Sequence, residues 1–531
     1  MKKLNQKNIT QFIAITFTTF ILCSNFLQMH FSSDTYALID LGYFRYPFEY
    51  FLHDGRIIST LICFIGGILH LPYNVYIISM DIIGMIFLSV SIYILSKVIC
   101  NILKPQNLMC EAVICIACYF LLLNPFSLEY LLFPESGVMC MGVFFLILSV
   151  KKTFESSKLK YFKIFIFLLI TGLCYQGELN IFPVLVILIY FLKQLKESKK
   201  IKVFLKEFFF EMLKIGLITI SVLVLSFLVV KLCKANLNGA GYYPGKPEFL
   251  VKIVNERTFW ARFKVVKKQT NEIWNCCINM LPKHSLTISI VSTLVLLIAI
   301  RAKKQTYFYY LVLLFLCFAS CILPLFVFNV GVCGRIHVPI MMIFGISALF
   351  IVANAFGKHL DCAVRVNELT YSSTNSSSSF LPANYSYKEI IALLYVLVCF
   401  LVNSIFIVQN TSEHIAANKV DHNTGASIKA MIENYEKENN IKVTKLGYKY
   451  DFDPSQYSVG IRKMQSMTER KFACVWSIVY TMNYYCDRKF EEVEYVEPKT
   501  DEHFSNNNIN YDCFLDEQIY FDGDTIYMII Y

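Results

Sequence analysis

Charge is scarce in this chain. Of its 531 residues only 17% are Asp, Glu, Lys or Arg, while 56% are hydrophobic. A soluble protein of this length keeps a charged surface around one or several cores, and this composition excludes it. Zinc-type spacing is also missing. No CxxC pair or Cys/His cluster among the 19 cysteines has zinc spacing: Cys115 and Cys118 are a lone CxxC inside an apolar run. Most lie in apolar runs, where a thiol acts as a small hydrophobe. Cys474, Cys486 and Cys513 in the C-terminal part are odd in number, which leaves room for one bridge but suggests no disulfide framework. No internal repeat supports an inverted-repeat transporter. A basic soluble face is lacking too. Residues 409–531 carry 13 Lys+Arg against 20 Asp+Glu, a balance of −7, so no nucleic-acid partner is expected.

What is present is apolar sequence in long pieces. Eleven runs approach the roughly 20 residues that a bilayer crossing needs. They are 10–30, 74–99, 110–124, 136–150, 161–175, 180–195, 210–232, 286–301, 306–328, 337–354 and 388–408. The expected fold is a polytopic α-helical membrane protein of about 11 spans. Residues 1–408 form its transmembrane domain, and 409–531 form a small α/β domain. In the latter, 427–439 is helix-like, 441–450 and 518–531 are strand-like, and Asp522-Gly523-Asp524 has the composition of a hairpin turn.

Residues 1–408 carry 36 Lys+Arg against 19 Asp+Glu, a balance of +17. Much of that excess falls in the short connections 151–163, 193–207 and 301–304, which are expected to be cytoplasmic. Lys2, Lys3 and Lys7 precede an uncharged stretch, 8–33, expected to be an uncleaved signal anchor with its N-terminus inside. The segments 31–73, 125–135, 175–180, 233–285, 329–336 and 409–531 then fall outside. Residues 56–71 would break this alternation as a further span, so an amphipathic or re-entrant helix in the outer interface is expected there. The loop 233–285 carries ERTFWARFKVVKKQTNEIW, a basic aromatic helix that could bind lipid phosphates or be an ordinary interfacial helix. Residues 355–387, with SSTNSSSS at 372–379, form a polar cytoplasmic linker, where the glycosylation-type matches at Asn375 and Asn384 carry no meaning.

The outer segments hold the chemistry. Asp34, just past the first run, could cap a helix over 35–46, act as a general base at the membrane surface, or do both. Asp40 and Glu49 face water on the plainest reading. Asp54-Gly55-Arg56 forms a tight turn in which Gly55 permits a positive φ, and Arg56 could hold a phosphate or pair with a carboxylate. Glu129 and Glu135 lie between two runs, at a depth where carboxylates are costly; Glu135 could equally sit at a helix start. Tyr175-Gln176-Gly177-Glu178 is a tight turn between two more. Arg335 suits a phosphate or a salt bridge to an outer acid.

SSDTYALID, HDGRIISTLI, LLLNPFSLEYLLFPES, YQGE and GRIHVP together resemble the GT-C superfamily of membrane glycosyltransferases, and within it the Gtr-type glucosyltransferases that modify O-antigens. The resemblance implies a polyprenyl-phosphate sugar donor, a hexose (glucose by analogy), and a surface-glycan acceptor at the outer membrane face. Carried over residue by residue, it implies Asp34 as base and Glu135 and Glu178 as catalytic helpers. Arg335 or Arg56 would steady the phosphate, with Asp54, Gln176 and Tyr175 around the substrate. SDTY has one carboxylate where the family pattern has two adjacent acids, which speaks against a divalent metal. Membrane lipids are the other expected partners. A flippase or transporter of lipid-linked glycans is the alternative, for which Asp81 and Asn403 are the mid-span polar residues. A receptor acting through 409–531 is a third reading.

Overall fold

The computed structural model describes residues 6–105, 108–197, 199–236, 256–328, 333–356, 386–449, 461–474, 476–494 and 514–529. The serine-rich linker 372–379, Gly331-Val332 and Cys513 lie outside the described residues. Each of the eleven apolar runs coincides with a helix. These are α1 (Gln6–Leu22), α4 (Tyr73–Leu103), α5 (Leu108–Leu122), α6 (Ser136–Thr153), α7 (Lys160–Cys174), α8 (Ile181–Glu197), α9 (Ile201–Asn236), α11 (Ser285–Ala299), α12 (Lys304–Phe328), α13 (Gly334–Ala355) and α14 (Tyr387–Asn439). Between α1 and α4 stand α2 (Ser33–Tyr46) and α3 (Ile57–Ile68), and α10 spans Glu256–Cys276. Among the described residues seven helices are long and apolar enough to cross a membrane. An eighth is counted if α5 and the 3-10 turn Pro125–Leu131, bent by 65° to it, are one broken span. The chain is a polytopic helical membrane protein.

Burial places α13 at the centre, with 83% of its apolar window covered, and α9 at the rim, with 17% covered. Helices meet closely where side chains are small, since lipid-like interiors supply packing rather than hydrophobic drive. A Cβ on Gly137 of α6 would stand 2.9 Å from the Met80 carbonyl oxygen of α4, and one on Gly345 of α13 would stand 2.9 Å from that of Ala117 on α5.

The two ends of the bundle differ. At one, lysines tie the connections: Lys7 and Lys97 share Glu111, Lys196 donates to the Leu103 carbonyl at 2.5 Å and Lys303 to that of Leu195 at 3.1 Å. The other end gathers α2, α3, the start of α6, the turn 176–180 and the start of α13.

At that second end the chain continues into its C-terminal part without a break. The boundary expected at 408/409 falls inside α14, a single helix of 53 residues, about 80 Å long at 1.5 Å per residue. Its first turn is fixed by a capping box between Ser386 and Glu389. Beyond it, strands β1 (Lys445–Lys449), β2 (Glu491–Glu492), β3 (Ile519–Asp522) and β4 (Thr525–Ile529) pair in the order β2-β1-β4-β3. β1 runs parallel to β2 and β4, and β3–β4 is the hairpin, turning through Gly523 at φ 59°. Ile428 and Ile432 of α14 pack with Leu446, Met482 and Ile526 to form this part's own core, together with α15 (Ile478–Cys486).

Candidate active site at the interfacial helices

The local sequence builds the site in short steps. Ser32, not Asp34, caps α2: its hydroxyl accepts from the Thr35 N–H at 3.2 Å, and Thr35 Oγ1 accepts in return from the Ser32 N–H at 3.0 Å. Asp34 is therefore released from capping duty. Gly42, at φ 78°, kinks α2, and Pro47 opens a π-type turn. The turn at Asp54 closes on Gly55 at φ 72°, where a Cβ would meet the Val230 side chain of α9 at 2.5 Å.

Arg56 Nη1 donates to Glu135 Oε1 at 2.7 Å, and Nη2 lies 3.3 Å from Asp54 Oδ2. Its guanidinium sits 5.0 Å from the centre of the Tyr175 ring. The same tyrosine accepts at its hydroxyl from Arg335 Nε, 3.0 Å away. Arg335 in turn lies 4.2 Å from the centre of the Phe133 ring, and its backbone N–H donates to Glu129 Oε2 at 3.1 Å. Gln176 Nε2 donates to the Asp54 carbonyl at 2.8 Å, and Asn180 Nδ2 to that of Ile336 at 2.6 Å, joining three loops.

Five buried polar atoms in this group have no hydrogen-bond partner: Arg56 Nε, Arg335 Nη1, Glu129 Oε1, Glu135 Oε2 and Asn180 Oδ1. Each such atom costs about 1–3 kcal/mol when left unmatched. Asp34, half-buried, interacts with Glu135, Arg335 and Arg56. Burial first, and then the Glu135 charge, push its carboxyl up to about 7 against the pull of the two arginines. Burial also raises Glu135, opposed by Arg56 and Arg335.

The structure thus brings together Asp34, Asp54, Arg56, Glu135, Tyr175, Gln176 and Arg335. It does not bring Glu178 to them. That carboxylate is fully buried against Gly142 and Cys174, where a Cβ on Gly142 would stand 2.2 Å from Oε2, and both its oxygens lack a partner. Asp40 does not simply face water: its Oδ1 accepts from Asn483 Nδ2 at 3.1 Å and Lys489 Nζ at 2.5 Å. Glu49 pairs with Arg45 at 2.6 Å.

Sequence reasoning noted Glu129 without placing it in the site, and it named no site residue in the C-terminal part. α15 lies on α2, with the Tyr36 and Tyr485 hydroxyls 2.8 Å apart and those of Tyr50 and Tyr480 3.3 Å apart. The Ser33 hydroxyl reaches Glu469 Oε2 at 3.4 Å. The available signal was the four-residue spacing of Trp476, Tyr480 and Tyr484, one aromatic stripe on a helix.

The mid-span polar residues expected of a translocation path are engaged in structure. Asn403 donates to the Leu123 carbonyl at 3.1 Å. Asp81 Oδ2 lies 3.1 Å from His30 Nε2, whose Nδ1 lies 3.2 Å from His414 Nε2. His414 Nδ1 donates to the Met467 carbonyl at 2.6 Å, so its Nε2 is the acceptor and His30 Nδ1 the donor. Among the described residues no group of three or more His, Cys, Asp or Glu could hold a metal ion. Set against known proteins, the chain matches no family model, and no curated protein matches it.

Proposed function

We propose that this protein is a GT-C-type membrane glycosyltransferase, moving a hexose from a polyprenyl-phosphate carrier to a hydroxyl of a cell-surface glycan. Glucose is the sugar that the Gtr resemblance implies. The observation that carries the reading is the meeting of two guanidinium N–H groups without a hydrogen-bond partner, Arg56 Nε and Arg335 Nη1 (the latter 3.9 Å from Glu129 Oε2), with a carboxyl poised near neutrality, Asp34.

The chemistry divides among them as follows. Asp34 takes the proton from the acceptor hydroxyl as its oxygen attacks the anomeric carbon. The bond from that carbon to the phosphate oxygen breaks, and the polyprenyl phosphate leaves with the electron pair. Arg56 and Arg335 meet the charge developing on the phosphate, in a site where fixed donors act more strongly than water does. Tyr175 holds the two arginines at one spacing. Glu135 orients Arg56 and, after burial, adds to the proton affinity of Asp34. Glu178, set apart inside the bundle, has no part in the transfer.

The lysine-tied end of the bundle is the cytoplasmic side in this reading, as short basic connections favour. The N-terminus is then cytoplasmic, and the site and the C-terminal domain are extracytoplasmic. Analysis of the producing cell's surface glycan, with and without the protein, tests the reading. A hexose branch or substituent that disappears with the protein and returns with the wild-type chain supports it. An identical glycan in both cells removes it.

A further inference from the structure

A row of aromatic rings leads away from Asp34 towards the C-terminal part. Tyr46 is buried and interacts with both Asp34 and Glu135. Tyr50 stacks on it, ring centres 4.9 Å apart and planes 23° apart. Tyr50 itself still feels the Asp34 charge. Its hydroxyl donates to that of Tyr480 at 3.3 Å, and its ring centre lies 6.4 Å from that of Trp476. Tyr50, Trp476 and Tyr480 are half-buried, so part of each ring remains open.

The charges beside this row are already matched. Glu49 is held by Arg45, and Asp40 by Lys489 and Asn483. The wall therefore offers flat apolar faces with phenol and indole donors at their edges and little net charge. A neutral sugar ring has the complementary pattern, with C–H groups on its faces and hydroxyls around its rim. A peptide or a polyanion would leave its own charges without partners here.

We propose that Trp476, Tyr50 and Tyr480 form a subsite for a neutral pyranose of the acceptor glycan, which presents its hydroxyl to Asp34. The inference rests on the transferase reading for the role of Asp34, but the binding itself does not. Each of the two parts of the chain supplies one wall: Tyr50 follows α2, Trp476 just precedes α15 and Tyr480 lies in its first turn. Acceptor binding and the seating of the C-terminal domain are then coupled.

The test uses the full-length protein in lipid nanodiscs. Saturation-transfer NMR is recorded with methyl glycosides of neutral hexoses, and with methyl glucuronide as the charged control. The wild type should saturate the ring C–H protons of a neutral glycoside, and Trp476→Ala should cut that signal at least tenfold. Trp476→Phe should restore most of it. Equal saturation in wild type and Trp476→Ala, or a stronger signal from the glucuronide, overturns the subsite. In transfer assays Trp476→Ala should raise the acceptor KM at least tenfold with the donor KM unchanged; equal rises in both, or a fall in kcat alone, also overturn it. Binding that follows this pattern in a protein with no transfer activity keeps the subsite and rejects the transferase reading. Tyr50→Phe, which removes only a hydroxyl, serves as the variant least able to disturb folding.

Discussion

Arg56 and Arg335 approach one tyrosine from two sides: the first lies 5.0 Å from the centre of the Tyr175 ring, and the second donates to its hydroxyl at 3.0 Å. Neither bond is available to a lysine in the same form. An ammonium can replace the charge but not the planar fork. Arg335→Lys should lower kcat about 100-fold, the usual scale for losing a donor to transition-state charge. The donor KM should change much less. Steady-state kinetics with varied donor checks this, and a variant within threefold of wild type would remove Arg335 from phosphate stabilisation.

The carboxyl of Asp34, held near 7, gives the reaction a pH signature. A general base works when ionised, so kcat/KM should rise with pH through a midpoint near that value. The Glu135 charge raises the Asp34 midpoint and the Arg335 charge lowers it. Glu135→Gln should therefore shift the profile to lower pH, and Arg335→Gln to higher pH. A pH–rate profile that stays fixed in both variants would contradict the assignment.

The same group predicts a stability effect. The folded value lies above the ordinary 3.8, so between the two the native state binds more protons than the unfolded state. Stability is then lost as pH rises from about 3.8 towards 7, and Asp34→Asn should raise the melting temperature at pH 8 but not at pH 3.5. Thermal unfolding in nanodiscs at the two pH values measures this; an equal shift at both would point to packing instead of charge.

Gly55 links the site to α9. At φ 72°, with Val230 where a Cβ would stand, Gly55→Ala meets both backbone strain and a clash. The left-handed conformation alone costs about 1–2 kcal/mol in a residue with a side chain. Gly55→Ala should lower thermal stability, and adding Val230→Ala should recover the part due to the clash. A double variant no better than the single would show that backbone strain accounts for the whole loss.

His30, Asp81 and His414 tie the α1–α2 junction to α4 and α14. Removing His30 leaves the buried Asp81 Oδ2 and His414 Nε2 without their hydrogen-bond partner, at about 1–3 kcal/mol each. His30→Ala should therefore destabilise strongly. His30→Ala with Asp81→Leu should recover the part of that loss due to Asp81, because the orphaned carboxyl goes with it. Unfolding curves for the two proteins decide, and equal curves would mean that Asp81 is satisfied without His30.

Much of the architecture was legible because its signals are local. Eleven apolar runs became eleven helices, the positive φ of Gly55 and Gly523 followed from the turn composition around them, and a short helix formed within 56–71. Three features were not legible. Ser32 and Asp34 are both good caps, and only the Thr35 hydroxyl decides between them. The fate of Glu178 depends on Gly142, which lets α6 come close enough to cover it, and that contact between distant segments has no sequence period. The long α14 passes from apolar to polar sequence without changing structure, so a composition boundary at 408 looked like a domain boundary. The aromatic stripe of Trp476, Tyr480 and Tyr484 was visible, but its meaning depended on α15 packing against α2.

The most direct measurement is hexose transfer by the purified chain in nanodiscs, supplied with radiolabelled polyprenyl-phosphate glucose and isolated surface glycan. The wild type should move label into the glycan, and Asp34→Asn, equally well folded, should fall at least 1000-fold. A wild type that transfers nothing, or an Asp34→Asn variant that transfers at the wild-type rate, would contradict a sugar-transfer site built around Asp34.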